Sequence, residues 1–143
     1  MEKENKRKDI LFLCSANSCR SQMAEGFARH LYGDKYEVFS AGTEAGGINP
    51  YAVKVMDEVG VNINGQKSNE VSHYADRNFD AVITVCDRAK DKCPIFYNCS
   101  GGECEIKNWN FQDPASATGT EEEVLEIFRK VRDSIKEKIE SEL

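Results

Sequence analysis

The chain has 143 residues, enough for one domain with a proper core, and no apolar run long enough to span a membrane. Its 25 acidic side chains outnumber 19 basic ones, and the formal net charge of -6 argues against nucleic acid as a partner. The charged start, Met1 to Asp9, carries no secretory pattern, so the reading is a cytoplasmic protein of one domain, residues 1–143.

Ile10 to Leu13 is a continuous apolar run, as a strand buried on both faces requires. From Ser21 to about Tyr32, Ala24, Phe27, Ala28 and Leu31 fall on one helical stripe, with Gly33 as the stop. Tyr36 to Ser40 reads as a second strand, followed by a glycine-rich connection, Ala41-Gly42-Thr43 and Gly46-Gly47. Asn49-Pro50 starts a helix, with Asn as cap and Pro in the first turn; Val53, Met56 and Val59 continue it before Gly60. Ser68 is placed as the cap of a shorter helix holding Val71 and Tyr74. Ala81 to Val85 is a third buried strand with Cys86 at its end, and Glu105 to Trp109 holds a short fourth. Thr120 and three glutamates open the last helix, whose stripe is Val124, Ile127, Phe128, Val131, Ile135 and Ile139.

Strands alternating with helices predict an α/β fold: three layers, α/β/α, around a mostly parallel, twisted sheet of four strands. Ligands in such sheets sit outside the carboxyl ends of the strands. Cys14 and Cys86 both follow strands at that edge, so their separation in sequence does not keep them apart in space.

Cys14-Ser15-Ala16-Asn17-Ser18-Cys19-Arg20-Ser21 lies between the first strand and the first helix. A tight loop there aims backbone N–H groups at one point, and the helix dipole adds positive potential. The cradle suits a tetrahedral oxyanion. It also favours the thiolate of Cys14, the residue that opens the loop. Arg20 closes the loop with a planar fork of donors for two oxygens of the same anion. Ser21 is in reach of the Cys14 sulfur, and Asn17 is expected to fix the loop by side-chain-to-backbone bonds. Cys19 reads as a small buried residue, with a helper role as its alternative.

The Cys-x5-Arg-Ser loop with Gln22-Met23-Ala24-Glu25-Gly26 resembles the low-molecular-weight tyrosine phosphatase family, and within it the thioredoxin-coupled arsenate reductases. Ser40-Ala41-Gly42, Asn49-Pro50, the pair Cys86 and Cys93, and Asp113-Pro114 match in the same order, so the resemblance covers nearly the whole chain. It implies that Cys14 attacks the oxyanion, that Arg20 and the loop amides hold it, and that Asp113 is a general acid. Taken alone, Asp113-Pro114 would be an ordinary turn. It implies further that Cys86 attacks Cys14 to release arsenite, and that Cys93 then moves the disulfide to Cys86–Cys93 for thioredoxin or a related reductant. Some such reductases bind potassium; Asn17, Glu25 and Ser40 match that set, but Asn69 stands where a carboxylate is expected. No tightly bound cofactor is otherwise implied, and a monomer is expected.

Six cysteines are many for a reducing compartment and suggest redox or metal chemistry. Were residues 86 to 93 helical, the two cysteines would lie about 10.5 Å apart along the axis. A disulfide spans Cα separations only up to about 7 Å, so the segment would have to unwind on oxidation. Cys99 and Cys104 fall outside the family pattern, as an inserted loop with spare thiols or, with Cys86 and Cys93, as a thiolate site for zinc or arsenite. Small residues after Asp113-Pro114, Ala115-Ser116-Ala117, suit an inorganic oxyanion better than a phosphotyrosine ring. Trp109 and Phe111 read as core, and His30 and His73 as surface residues. Two other readings stay open: a low-molecular-weight phosphatase with incidental cysteines, and a non-enzymatic thiolate trap.

Overall fold

The computed structural model describes residues 7–74, 76–86 and 105–143. The predicted segment between Cys86 and Cys93, and Cys93, Cys99 and Cys104 themselves, lie outside the described residues. Four strands, β1 (Lys8–Cys14), β2 (Tyr36–Gly42), β3 (Ala81–Thr84) and β4 (Glu105–Asn108), form one sheet in the order β2-β1-β3-β4. All three pairings are parallel. The helices are α1 (Arg20–Tyr32), α2 (Pro50–Asp57) and α3 (Glu121–Glu142).

The apolar run of β1 is buried on both sides, and its alternation divides the core. Ile10, Phe12 and Cys14 join Val38, Ile83 and the buried faces of α1, α2 and α3 in one cluster. Leu11 and Leu13 point the other way, to Ala41, Phe79 and Val82, with Phe39, Val71 and Tyr74 packed against them. Among the described residues that second face is covered by a 3-10 turn, Val71–Tyr74, where the sequence suggested a short helix. Ser68 does not cap it: its hydroxyl turns to the loop instead.

Helix ends follow the sequence signals with small shifts. Asn49 Oδ1 accepts from Tyr51 N at 2.8 Å, with Pro50 in the first turn. Helix α2 buries Ala52, Val55 and Met56 rather than Val53 and Val59, and it ends at Asp57, before Val59 and Gly60. Gly33 stops α1 in a right-handed conformation, so no left-handed cap is needed there. Helix α3 opens with a reciprocal box: Glu123 N donates to Thr120 Oγ1 and Thr120 N to Glu123 Oε1. Its buried stripe is Leu125, Phe128, Val131, Ile135 and Ile139, with the stem of Arg132 beside it.

The strand order decides where a ligand sits. From β1 the chain goes to β2 on one side, and β3 lies on the other. The carboxyl ends of β1 and β3 therefore flank the crevice where the winding direction changes. Val85 N donates to Leu13 O at 2.8 Å, which carries the β1–β3 pairing one residue past β3. Cys14 and Cys86 thus emerge side by side at that edge.

Candidate active site

Between the end of β1 and the start of α1 the chain turns through Ser15 to Cys19. Asn17 has φ +48, the one non-glycine left-handed conformation among the described residues and one that Asn tolerates well. Its amide is fixed at both ends. Asn17 Nδ2 donates to Ser21 Oγ at 2.8 Å, and Oδ1 accepts from Asn69 N at 2.7 Å.

The loop carbonyls are held from outside. Ser15 O accepts from Glu44 N, Ala16 O from Gly46 N, and Ser18 O from Asn49 N, all at 2.9 to 3.0 Å. Asn17 O accepts from Gln22 Nε2 at 3.0 Å and Ser68 Oγ at 2.9 Å. A trans peptide points its N–H opposite its C=O. Four successive carbonyls turned outward therefore turn the amides of residues 16 to 19 inward. No side chain bonds to the start of α1 from its N-cap, Cys19, so the orphan amides of the first turn face the same point. Gly42 backs the loop: a Cβ there would lie 2.7 Å from Asn17 N and 2.8 Å from the Cys14 and Ser15 carbonyls, so only glycine allows the approach.

Cys14 is buried and a free thiol, with its sulfur 2.8 Å from Ser21 Oγ. Ser21 is in turn held by Asn17, so its hydroxyl is directed at the sulfur. Arg20 is 2% exposed. It donates from Nη1 to Phe111 O at 3.1 Å and from Nη2 to Ser15 Oγ at 3.4 Å, which sets the plane of its guanidinium. Asp113 approaches from the segment after β4, with Oδ2 3.8 Å from Arg20 Nη2. Its other oxygen accepts from Ala115 N at 3.0 Å and starts the 3-10 turn Pro114–Ser116. The turn reading and the acid reading of Asp113 are therefore compatible: one oxygen makes the turn and the other faces the loop. Cys19 is free and buried, and burial pushes its thiol up to about 12, so it stays protonated at neutral pH.

The chain matches the model of the low molecular weight phosphotyrosine protein phosphatase family over residues 9–142. It belongs to that family. An arsenate reductase of Shouchella clausii is 49% identical over 129 residues, 90% of each chain. A solved structure of an arsenate reductase in the phosphate binding state superposes with a TM-score of 0.73 at 37% identity, covering 94% of this chain and 95% of that one. A thioredoxin-dependent arsenate reductase of Corynebacterium glutamicum superposes with a TM-score of 0.65 at 27% identity, over 94% of this chain and 61% of its own.

Within this phosphatase-loop frame, Cys86 is fully buried and disulfide-bonded. Cys14 and Cys19 are both free. Of the thiolate set Cys86, Cys93, Cys99 and Cys104 predicted for zinc or arsenite, the last three lie outside the described residues. Among the described residues no three His, Cys, Asp or Glu side chains gather as metal ligands.

The set matched to potassium in this family does not fit that ion here. Asn17 Oδ1 is taken by Asn69 N. Glu25 Oε1 accepts from the Ser40 hydroxyl, and Glu25 Oε2 is paired with the Arg29 guanidinium. The oxygens are turned on protein donors, and a cation of the chain's own already balances the one carboxylate.

Sequence reasoning missed the outer belt of the loop. Gln22 donates to Asn17 O and Lys67 O and accepts from Gln66 Nε2, and Ser68 ties Asn17 O to Gly47 N. Nothing in their own neighbourhood marks Gln66 or Ser68 as functional, because these side-chain partners lie more than twenty positions away. Gln22 carried the one readable hint, as part of the stretch Gln22-Met23-Ala24-Glu25-Gly26 that follows the loop.

Proposed function

We propose that this protein is an arsenate reductase that works through Cys14, Cys86 and Cys93 and is returned to its reduced state by thioredoxin or a related dithiol. The observation that carries the reading is the joint placement of a buried, free Cys14 in an amide cradle and an oxidised Cys86 on the adjacent strand end. A phosphatase of this loop needs the first and has no use for the second.

The steps balance as follows. The Cys14 thiolate attacks arsenic, and an arsenate hydroxyl leaves as water, its second proton supplied by the Asp113 carboxyl. Arg20 and the amides of residues 16 to 19 hold the remaining oxygens and the charge that develops on them. The Cys86 thiolate then attacks Cys14 Sγ. The S–S bond forms, the S–As bond breaks, and its electron pair stays on arsenic, which leaves as arsenite. Cys93 next attacks Cys86 Sγ and expels the Cys14 thiolate. A dithiol such as thioredoxin supplies two electrons to the remaining disulfide. An oxidised Cys86 beside a free Cys14 is the state expected after the last internal exchange.

Arsenate and phosphate have the same shape and charge, so the cradle admits both, and slow phosphatase turnover is expected. After Asp113-Pro114 the exposed Ala115 and Ser116 offer no aromatic wall for a phosphotyrosine ring. Cys14, Arg20, Asp113 and Cys86 all come from one chain, which supports action as a monomer. A reduced relay further calls for a reducing compartment, the cytoplasm; no helix among the described residues is long and apolar enough to cross a membrane.

Single turnover tests the proposal. Fully reduced protein mixed with arsenate and no reductant should release one equivalent of arsenite and accumulate a disulfide at Cys86, read by mass spectrometry. Cys93→Ser should stop at a Cys14–Cys86 disulfide. Release of no arsenite, with all thiols still reduced, would contradict the reading.

A further inference from the structure

The carboxylate of Glu25 is buried behind the loop, 6% exposed, one helical turn after Ser21. Burial pushes its carboxyl up from the ordinary range, and the Ser40 hydroxyl and Arg29 pull the other way. Arg29 lies a turn further along α1 and does three things. It pairs with Glu25 Oε2, donates from Nη2 to Val38 O at 2.8 Å, and reaches Gln66 Oε1 from Nη1 at 3.4 Å. With Ser40 on Glu25 Oε1, α1 is tied twice to β2, the neighbour of the strand that ends in Cys14. Gln66 in turn holds Gln22, which holds Asn17 O.

We propose that Arg29 is the resident cation of this site: a positioning residue that neutralises Glu25 and fixes α1, and with it Arg20 and Ser21, at the place where the family resemblance implies potassium. Charge decides between the two. Asn69 is neutral, so the site offers one carboxylate, and Arg29 already balances it. A potassium ion added beside the guanidinium would leave a net positive charge in a half-buried pocket and would have to share Asn17 Oδ1 with Asn69 N. An open cavity of about 480 Å³ lined in part by Glu25, Arg29, Val38, Gln66, Asn69 and Tyr74 gives an ion a path to Glu25 once the guanidinium is removed.

The test compares wild type, Arg29→Ala and Arg29→Lys in potassium chloride and sodium chloride at equal ionic strength. Thermal midpoint is the first readout, and kcat/KM for arsenate is the second. Wild type should show the same midpoint in both salts. Arg29→Ala should melt several degrees lower in sodium, lose roughly tenfold in kcat/KM, and recover part of both, saturably, with potassium. Arg29→Lys keeps the charge and should stay indifferent to potassium; it carries the test if the alanine variant does not fold. A saturable, potassium-specific rise in the wild-type midpoint would overturn the proposal. So would an alanine variant that melts low and gains nothing from potassium, which would reduce Arg29 to a set of hydrogen bonds. The thermal readout stands whichever oxyanion the loop processes, so it separates this inference from the assignment of arsenate.

Discussion

Ser21 shows how much of the chemistry depends on single hydrogen bonds. Its hydroxyl sits between Asn17 Nδ2 and the Cys14 sulfur, both at 2.8 Å. Ser21→Ala should therefore slow alkylation of Cys14 by iodoacetamide at neutral pH by roughly tenfold, the worth of one charge-assisted bond; an unchanged rate would mean that the amides alone hold the thiolate. Arg20→Lys removes the planar fork while keeping the charge, and should cost roughly a hundredfold in kcat/KM for arsenate. Cys19 gives a pH prediction. Its thiol is raised from 9.0 to about 12, so between those values the unfolded chain releases a proton that the folded one keeps. The contribution is complete below pH 9 and is lost as pH rises, at up to about 1.4 kcal/mol per pH unit. Alkaline denaturation should be shallower for Cys19→Ala, whose turnover at neutral pH should be kept. The placement of Cys14, Arg20 and Ser21 around one loop was legible because loop, strand and helix are contiguous in sequence. The Arg29–Glu25 pair was not: both are charged residues on a helix face, and only the packing of α1 on β2 reveals that Glu25 is buried.

Elements came through where local chemistry sets them. Asn49-Pro50 and Thr120 to Glu123 cap helices with their own side chains, so their positions could be read directly. Thr120→Ala should cost about 1 kcal/mol through loss of the capping box, measured by urea denaturation with the slope unchanged; no loss would show that α3 is held by its buried stripe alone. Ser68 failed as a cap because its hydroxyl is claimed by Asn17 O and Gly47 N, contacts that depend on distant segments. The turn at Val71–Tyr74 is kept by the rings of Phe39, Tyr74 and Phe79, which stack edge-on at 5.5 to 5.8 Å. The end of α2 moved for a similar reason. Val55 and Met56 face α3 and the core, whereas Val59, 39% exposed, lies past the last turn.

The whole molecule is acidic, yet its site is built for an anion. Local amides and Arg20 outweigh the average surface because they are buried and oriented. Phosphate or arsenate should therefore stabilise the fold by about 2.7 kcal/mol at a hundred times its dissociation constant, seen as a rise in thermal midpoint that Arg20→Ala abolishes. The parallel order β2-β1-β3-β4 puts Cys14 and Cys86 at neighbouring strand ends, where the proposed relay needs them. That adjacency is the fold's main contribution to function. The central claim is that the second thiol makes this phosphatase loop a reductase. The most direct measurement is arsenate-dependent NADPH oxidation in the presence of thioredoxin and its reductase, for wild type and Cys86→Ser, with aryl phosphate hydrolysis followed in parallel. Wild type should turn over, Cys86→Ser should not, and both should keep slow phosphatase activity. Cleavage of aryl phosphate with or without Cys86, and no arsenate-driven oxidation by wild type, would contradict that claim.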